Sequence, residues 1–364
     1  MQNIIESRID KVQKSFFNEE IDTFMIVVQE NRHYLSGFNA RDTGNESAGV
    51  LFITDSDLIL ATDSRFKLQA EIQAPIYEIF CYKKGIVKEF PEILERLKTK
   101  RLGFESERTS YSDYQKMSEQ IKDSKVELKP VRGIVENLRK KKSEAEIRAT
   151  KSALAVAEHA FKQVSENIRL GMTERAAAWK LEKKIRESGA DALSFPVICA
   201  SGPNSAMPHY ISGDRKFQKN EPILFDWGAR LNGYCSDTTR TLVIGKPDKK
   251  FQNIYQTVQS AQSIAIEAIR PGVSSKAVDN IARSYINDRG YKENFGHGLG
   301  HGTGLAIHEA PSLGPLTDTI LEPGMLVTVE PGIYLPGWGG IRIENQVVVR
   351  ENGAEILNNL SVRK

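Results

Sequence analysis

"IRLGMTERAAAWKLEKKIRESG" (168–189) and "IRPGVSSKAVDNIARSYINDRG" (269–290) are one pattern written twice, at a constant offset of 101 residues. Both begin Ile-Arg-x-Gly, set a small hydroxyl residue at a helix start, match Ala and Ile positions, and end in Gly. Such self-similarity marks a duplicated structural unit. Each copy has a second matching element downstream, "NEPILFDWGARLNGYCSDTTRTLVI" (220–244) and "LEPGMLVTVEPGIYLPGWGGIRIENQVVV" (321–349). Each reads as a strand, a Gly-containing turn and a second strand, with one carboxylate on either side of the turn. Two helix–hairpin halves related by a pseudo-two-fold axis would bring their sheets together. Asp226, Asp237, Glu330 and Glu344 would then lie near the joint.

The duplicated region occupies only part of 364 residues, a length that favours two domains. Upstream, "TFMIVV" (23–28), "AGVLFIT" (48–54), "DLILAT" (57–62) and "KVELKPV" (125–131) read as strands. "VKEFPEILERLK" and "YSDYQKMSEQI" read as surface helices, giving a small α/β domain over 1–135. No chemical constellation is found there; His33 and Asp63 stand alone, with structural roles expected. A linker follows at 136–142, and the second domain runs over 143–364. The basic run in "RKKKSEAEIRATK" (139–151) is expected to be a solvated helix entry. Ser143 with Glu146 forms a capping box, and Ile147, Leu154, Phe161 and Ile168 make one apolar stripe down a long helix. Trp179, Trp227 and Trp338 are expected in the core.

Composition excludes several function classes. Hydrophobic content of 40% and charged content of 27% describe a globular protein. A net charge of +3, from 50 basic and 47 acidic residues, gives no footprint for nucleic acid or membrane. Cys81, Cys199 and Cys235 are widely spaced without a CxxC, which favours a reducing compartment. The N-terminus "MQNIIESRIDKVQ" has no apolar signal core, and no apolar run approaches the ~20 residues that span a bilayer. The expected location is the cytoplasm.

The chemistry concentrates in the duplicated half. Asn232-Gly233 signals a two-residue type I′ turn, which pairs Asp226 with Thr239 and Gly228 with Asp237. The two aspartates then share a face as diagonal neighbours ~7–8 Å apart. Glu330 and Glu344 straddle "PGWGG" and could face each other likewise. Buried like charges repel, so something cationic must sit between them. Arg240 and Arg342 could supply part of it as a plain ion-pair network. "GHGLGHGTGLAIHE" (296–309) weighs against that reading, because it packs three of six histidines beside alternating glycines. At period two the glycines form one face, open to a neighbouring strand or ligand, and the histidines the other. The segment follows a helix instead of opening one, so it lacks the helix N-terminus of a phosphate cradle. Imidazole with carboxylates suits Mn, Co, Zn or Fe(II), and the absence of a cysteine array excludes a thiolate zinc site. Four carboxylates and one imidazole would match two ions ~3.5–4 Å apart that activate a shared water.

These residues resemble the proline-specific branch of the pita-bread metallopeptidases, which includes prolidase and aminopeptidase P. The resemblance rests on "HGLGHGTGLAIHE" and on spacings: Asp237 follows Asp226 by 11, Glu330 follows His301 by 29, and Glu344 follows Glu330 by 14. It covers residues 140–364 strongly and the N-terminal part more loosely. It implies a creatinase/prolidase-like α/β N-terminal domain and an α+β pita-bread domain with a pseudo-two-fold repeat. It also implies two divalent ions, Mn first with Co or Zn as alternatives, on Asp226, Asp237, His301, Glu330 and Glu344. Asp237 and Glu344 would bridge the pair. By the same resemblance His308 and His209 steady the tetrahedral intermediate and handle protons, with Glu330 as a further proton carrier. His297 lines the substrate pocket and Arg342 holds the ligand set. The implied substrate is a proline-containing peptide and the implied assembly a homodimer. Release of an N-terminal residue ahead of proline is the first expectation, and cleavage of Xaa-Pro dipeptides the alternative. Thr303 departs from the family, where an aliphatic residue is more usual. A metal-free creatinase-like amidinohydrolase, a methionine aminopeptidase and a non-catalytic binding module are the rivals. The filled ligand set weighs against the amidinohydrolase and the binding module, and the Glu spacings against the methionine aminopeptidase.

Overall fold

The computed structural model describes residues 2–43 and 46–360. The chain forms two compact units that divide between Leu138 and Arg139.

The first unit is built on a six-stranded mixed sheet. Its order is Glu78–Cys81, Leu58–Thr62, Val50–Ile53, Thr23–Ile26, Arg101–Glu105 and Glu127–Val131. Val50–Ile53 runs antiparallel to both neighbours and the remaining pairs are parallel. Helices Ile86–Arg96 and Tyr111–Gln120 bury Phe90, Ile93, Leu94 and Met117 against Phe52, Leu102 and Phe104 of the sheet. Asp63 is not alone, since Arg65 pairs with it at 2.8 Å. The unit also holds a buried carboxyl group, Glu105. It accepts the N–H groups of Val27 and Val28 at 2.7 and 2.8 Å, and the Asn31 amide at 2.6 Å. The Val27 and Val28 N–H groups lie at the entry to helix Gln29–Ser36, where the helix itself supplies them no acceptor.

The second unit shows the duplication directly. Thr173 and Ser274, 101 residues apart, each cap a helix by accepting the N–H three residues on. Gly171 and Gly272 hold φ of 80° and 84°, and Gly189 and Gly290 hold 99° and 85°, conformations that glycine alone adopts cheaply. In the first half, helices Glu144–Ser165 and Glu174–Glu187 pack Phe161, Leu181 and Ile185 on Phe225 and Trp227. In the second, helices Lys249–Ala268 and Ser275–Ile286 pack Val258, Ala261 and Val278 on Val327, Val329 and Val347. The sheets run Thr238–Val243, Pro222–Trp227, Ile198–Ser201 in one half. In the other they run Glu309–Leu313, Gly300–Gly302, Leu326–Val329, Asn345–Arg350, Gly353–Ile356.

Three expectations change. The capping box at Ser143 and Glu146 is present, but its helix ends at Ser165, so Ile168 lies beyond the stripe. Trp227 is core, with Nε1 donating to Ala157 O, and Trp338 is partly buried; Trp179 is on the surface, 62% exposed. The basic run is only half solvated. Arg139 and Lys142 are buried against Glu309, because two cations flanking one carboxylate tolerate an interior that neither would enter alone. Among the described residues, no helix is long and apolar enough to cross a membrane.

Candidate active site

The first hairpin sets two of the carboxylates. Asn232 and Gly233 have φ of 51° and 84°, the pair of left-handed residues that a type I′ turn requires. Its register carries Leu231 opposite Tyr234 and Asp226 opposite Thr239. In the second hairpin Val329 pairs with Asn345 and Gly332 with Arg342. Glu330 and Glu344 occupy the facing positions between those pairs. The halves join where the Glu344 N–H donates to Thr239 O at 3.2 Å and the Arg342 N–H to Thr241 Oγ1 at 3.2 Å.

The histidine segment is less regular than alternation predicts. Between 296 and 308 only Gly300–Gly302 forms a strand, with a register shift between His301 and Gly302. Leu299 and Thr303 turn into the interior, while His297 and His301 face a cavity. The glycines serve close approach between backbones. A Cβ at Gly300 would lie 2.0 Å from Thr328 O, and one at Gly302 would lie 2.4 Å from Ala310 O.

That cavity measures about 510 Å³, and all nine residues singled out in the sequence line it. Asp237, His301 and Glu344 offer ligand atoms that lie within 4.8 Å of one another. His301 Nε2 stands 3.3 Å from Glu330 Oε1 and 3.6 Å from Asp237 Oδ2. Asp226 sits beside this cluster, with Oδ2 accepting from Arg342 Nη2 at 2.6 Å. Arg342 reaches no other site carboxylate; Nη1 donates to Tyr334 Oη and Nε to Thr239 Oγ1. Arg240 donates to none of them, because its guanidinium bonds three backbone carbonyls and Asn345, and it acts on Glu344 only through space.

Four carboxylates therefore share a cavity in which, among the described residues, only Arg342 and His301 pair with them. Burial pushes the Asp237 and Glu344 carboxyls far above the usual range; Glu344, Asp226 and Glu330 add repulsion at Asp237, and Glu330 and Asp226 add it at Glu344. Asp226 is raised for the same first reason, against the pull of Arg342. Burial opposes charge on His301, yet Glu330 overrides it and raises the imidazole, while His301 in turn lowers Glu330. Asp226 Oδ1 and Glu344 Oε1 are buried and accept no hydrogen bond. Orphaned carboxylate oxygens of this kind cost free energy unless a cation meets them. The donor set is all oxygen and imidazole nitrogen, and it fits hard or borderline divalent ions.

Groups that the sequence did not disclose hold these side chains in place. Thr328 Oγ1 accepts the His301 N–H at 3.0 Å and donates to Glu330 Oε1 at 2.9 Å; Thr239 Oγ1 donates to Glu344 Oε2 at 2.7 Å. His297 has both ring nitrogens engaged, Nδ1 with Gly298 O at 2.8 Å and Nε2 with Tyr334 Oη at 2.9 Å. The ring of His308 meets that of His301 edge-on at 4.2 Å, and desolvation followed by that neighbour lowers its pKa. His209 lies on the 201–213 segment, which closes on Glu174. That carboxylate is fully buried and accepts from Ser201 N, Ser201 Oγ and Asn204 Nδ2. An acidic residue in a first helical turn ordinarily reads as a solvated dipole partner, so nothing in the sequence flagged Glu174. Phe195, Pro196, Val197, Ile198 and Ile211 give the cavity one apolar wall.

Comparison with known proteins gives the same outline. Residues 148–351 match the model of metallopeptidase family M24, and residues 8–141 match the creatinase/prolidase N-terminal domain. The Xaa-Pro dipeptidase of Pyrococcus furiosus is 36% identical over 97% of this chain and 98% of its own length. The structure of an Xaa-Pro dipeptidase from Bacillus anthracis superposes with a TM-score of 0.92 at 38% identity, covering 99% of both chains. An X-Pro aminopeptidase structure from Thermotoga maritima gives 0.87 at 35% identity, covering 96% of this chain and 99% of that one.

Proposed function

The chain belongs to metallopeptidase family M24, and we propose that this enzyme hydrolyses the bond before proline, with Xaa-Pro dipeptides as its preferred substrates. One observation carries the reading. A cavity-facing cluster of buried carboxylates and an imidazole, short of positive charge, shares its cavity with the apolar side chains of Phe195, Pro196, Val197, Ile198 and Ile211. Dipeptides are placed ahead of longer peptides because of similarity to proteins named Xaa-Pro dipeptidase. That reverses the order expected from the sequence. Release of an N-terminal residue from longer peptides is the second reading, favoured by similarity to the Thermotoga protein.

In this reading two divalent ions, Mn in the native state, would be held by Asp226, Asp237, His301, Glu330 and Glu344. Ions so held supply Lewis acidity toward the scissile carbonyl and the attacking water. The protein's own groups do the rest. His308 and His209, on facing segments of the cavity, donate to the developing oxyanion and pass protons to the leaving nitrogen. Glu330 takes a proton from the attacking water. Arg342 fixes Asp226. His297, with both nitrogens engaged, presents a ring face to the substrate and no hydrogen bond. The apolar wall suits the proline ring, whose amide nitrogen carries no hydrogen and needs no acceptor. A homodimer is the proposed assembly.

The test compares hydrolysis of an Xaa-Pro dipeptide with that of an Xaa-Pro-Yaa-Zaa peptide by the Mn-reconstituted protein, alongside metal analysis. Faster dipeptide turnover with two bound ions supports the proposal. Preference for the tetrapeptide selects the aminopeptidase reading. Hydrolysis of neither, or full activity after chelation, overturns both.

A further inference from the structure

His308 has no hydrogen-bond partner of its own among the described contacts, yet the residue after it is one of the most firmly held in the second unit. Glu309 is only 7% exposed at its side chain. It lies between Lys142 Nζ at 2.6 Å and Arg139 Nη2, themselves 2% and 5% exposed. Its carboxylate folds back over the preceding turn and accepts the Ala306 N–H at 3.4 Å. The turn makes room for it, since a Cβ at Gly304 would lie 2.4 Å from Glu309 Oε1. Gly304 is pinned in turn: its N–H donates to Ala306 O, and its carbonyl accepts the Cys235 N–H at 2.8 Å. Lys142 is itself fixed through its backbone N–H, which donates to Gly324 O at 2.8 Å. Residues 304–308 thus hang between a ladder strand and a buried ion triad, with the His308 ring projecting into the cavity beside His301.

We infer that Glu309, clamped by Lys142 and Arg139, is the positioning residue for His308. The triad sets the height and direction of that imidazole above the carboxylate cluster without touching substrate. The inference rests on the reading of His308 as a proton-handling group. A neutral residue at 309 would leave two buried cations facing an amide, and the turn would relax away from them. Displacements of about 1 Å in a positioned catalytic group cost on the order of 100-fold in rate.

The experiment uses Glu309→Gln and Lys142→Met in the full chain. It reads kcat and KM on an Xaa-Pro dipeptide, metal content, and the ring-nitrogen resonances of His308 in zinc-loaded protein. His159, exposed and bonded to Gln163, is the internal reference. Expected for Glu309→Gln are a kcat lower by about 10- to 100-fold, a KM within about threefold, unchanged metal content, and displaced His308 resonances with His159 unmoved. Lys142→Met, which keeps the Arg139 contact, should move the same readouts less. Unchanged His308 resonances with unchanged kcat would overturn the inference. If Glu309→Gln does not fold, Lys142→Met decides on the same readouts. Absence of wild-type hydrolysis would sink the peptidase reading instead, while the resonances would still judge the positioning.

Discussion

Gln346 donates through Nε2 to Thr303 Oγ1 at 2.6 Å, and its Oε1 accepts the backbone N–H of Asp237 at 3.1 Å. The amide cannot reverse without setting its N–H against the Asp237 N–H, so Asp237 fixes its orientation and the Thr303 hydroxyl satisfies the Nε2 donor on the other side. A residue read from sequence as a packing departure is a polar support for a proposed ligand. Thr303→Val keeps the shape and removes the acceptor. Weaker Mn binding by about tenfold is expected. The metal-free protein should lose about 1–3 kcal/mol of stability for the orphaned amide. Titration calorimetry and urea unfolding check both, and Thr303→Ser should restore binding.

Asp237 separates metal chemistry from mere ion pairing. It is buried, lies within reach of His301 and Glu344, and pairs with no lysine or arginine among the described residues. Asp237→Asn should abolish stoichiometric metal and lower hydrolysis by at least about 1000-fold. The metal-free variant should also be more stable than metal-free wild type, because a repelling charge has gone. Elemental analysis and melting of chelated samples measure both. Retained metal in the variant would contradict the proposed site.

Arg342 uses three separate donors on Asp226, Tyr334 and Thr239, a pattern only a planar guanidinium can supply. Arg342→Lys should keep the charge but strand two of the three acceptors. A stability loss of about 3–5 kcal/mol is expected, as for a broken buried ion pair, with kcat/KM falling alongside it. Denaturant titration and steady-state kinetics check this, and an unimpaired variant would show that charge alone suffices.

What could be read beforehand was whatever local chemistry specifies. The Asn232-Gly233 turn set the ladder register that pairs Asp226 with Thr239, and the 101-residue offset placed matching caps at Thr173 and Ser274. The supports were not legible, because each joins residues distant in sequence: Thr303 to Gln346, Glu174 to Asn204, Glu309 to Arg139. Such pairs leave no periodicity. The strands Glu78–Cys81 and Arg101–Glu105 were missed for a related reason: only the fold tells which of their few residues face the core. Glu309 was hidden twice over, as an ordinary residue after a histidine and as the unseen partner of a basic run that read as solvated.

Glu105 gives the first unit a pH dependence that is independent of the active site. Burial raises its carboxyl to about 7, against the pull of the Asn31 amide and the Val28 and Val27 N–H groups. A group whose folded pKa lies above its unfolded value of about 4.5 stabilises the fold fully below that lower value. The contribution is lost as pH rises through about 7, because the folded state must then either carry a buried anion or release it. One proton linked over that window corresponds to about 3 kcal/mol at most. Glu105→Gln keeps a carbonyl for Val27 and Val28 but loses the Asn31 bond, a cost that is the same at both pH values. Stability of the wild-type protein should therefore fall between pH 5 and pH 8 by more than that of Glu105→Gln, the difference approaching about 2–3 kcal/mol. Urea unfolding of the metal-free proteins at the two pH values measures it, because the carboxylate cluster of the second unit then contributes equally to both. Parallel pH profiles for the two proteins would show that Glu105 is ionised in the native state throughout.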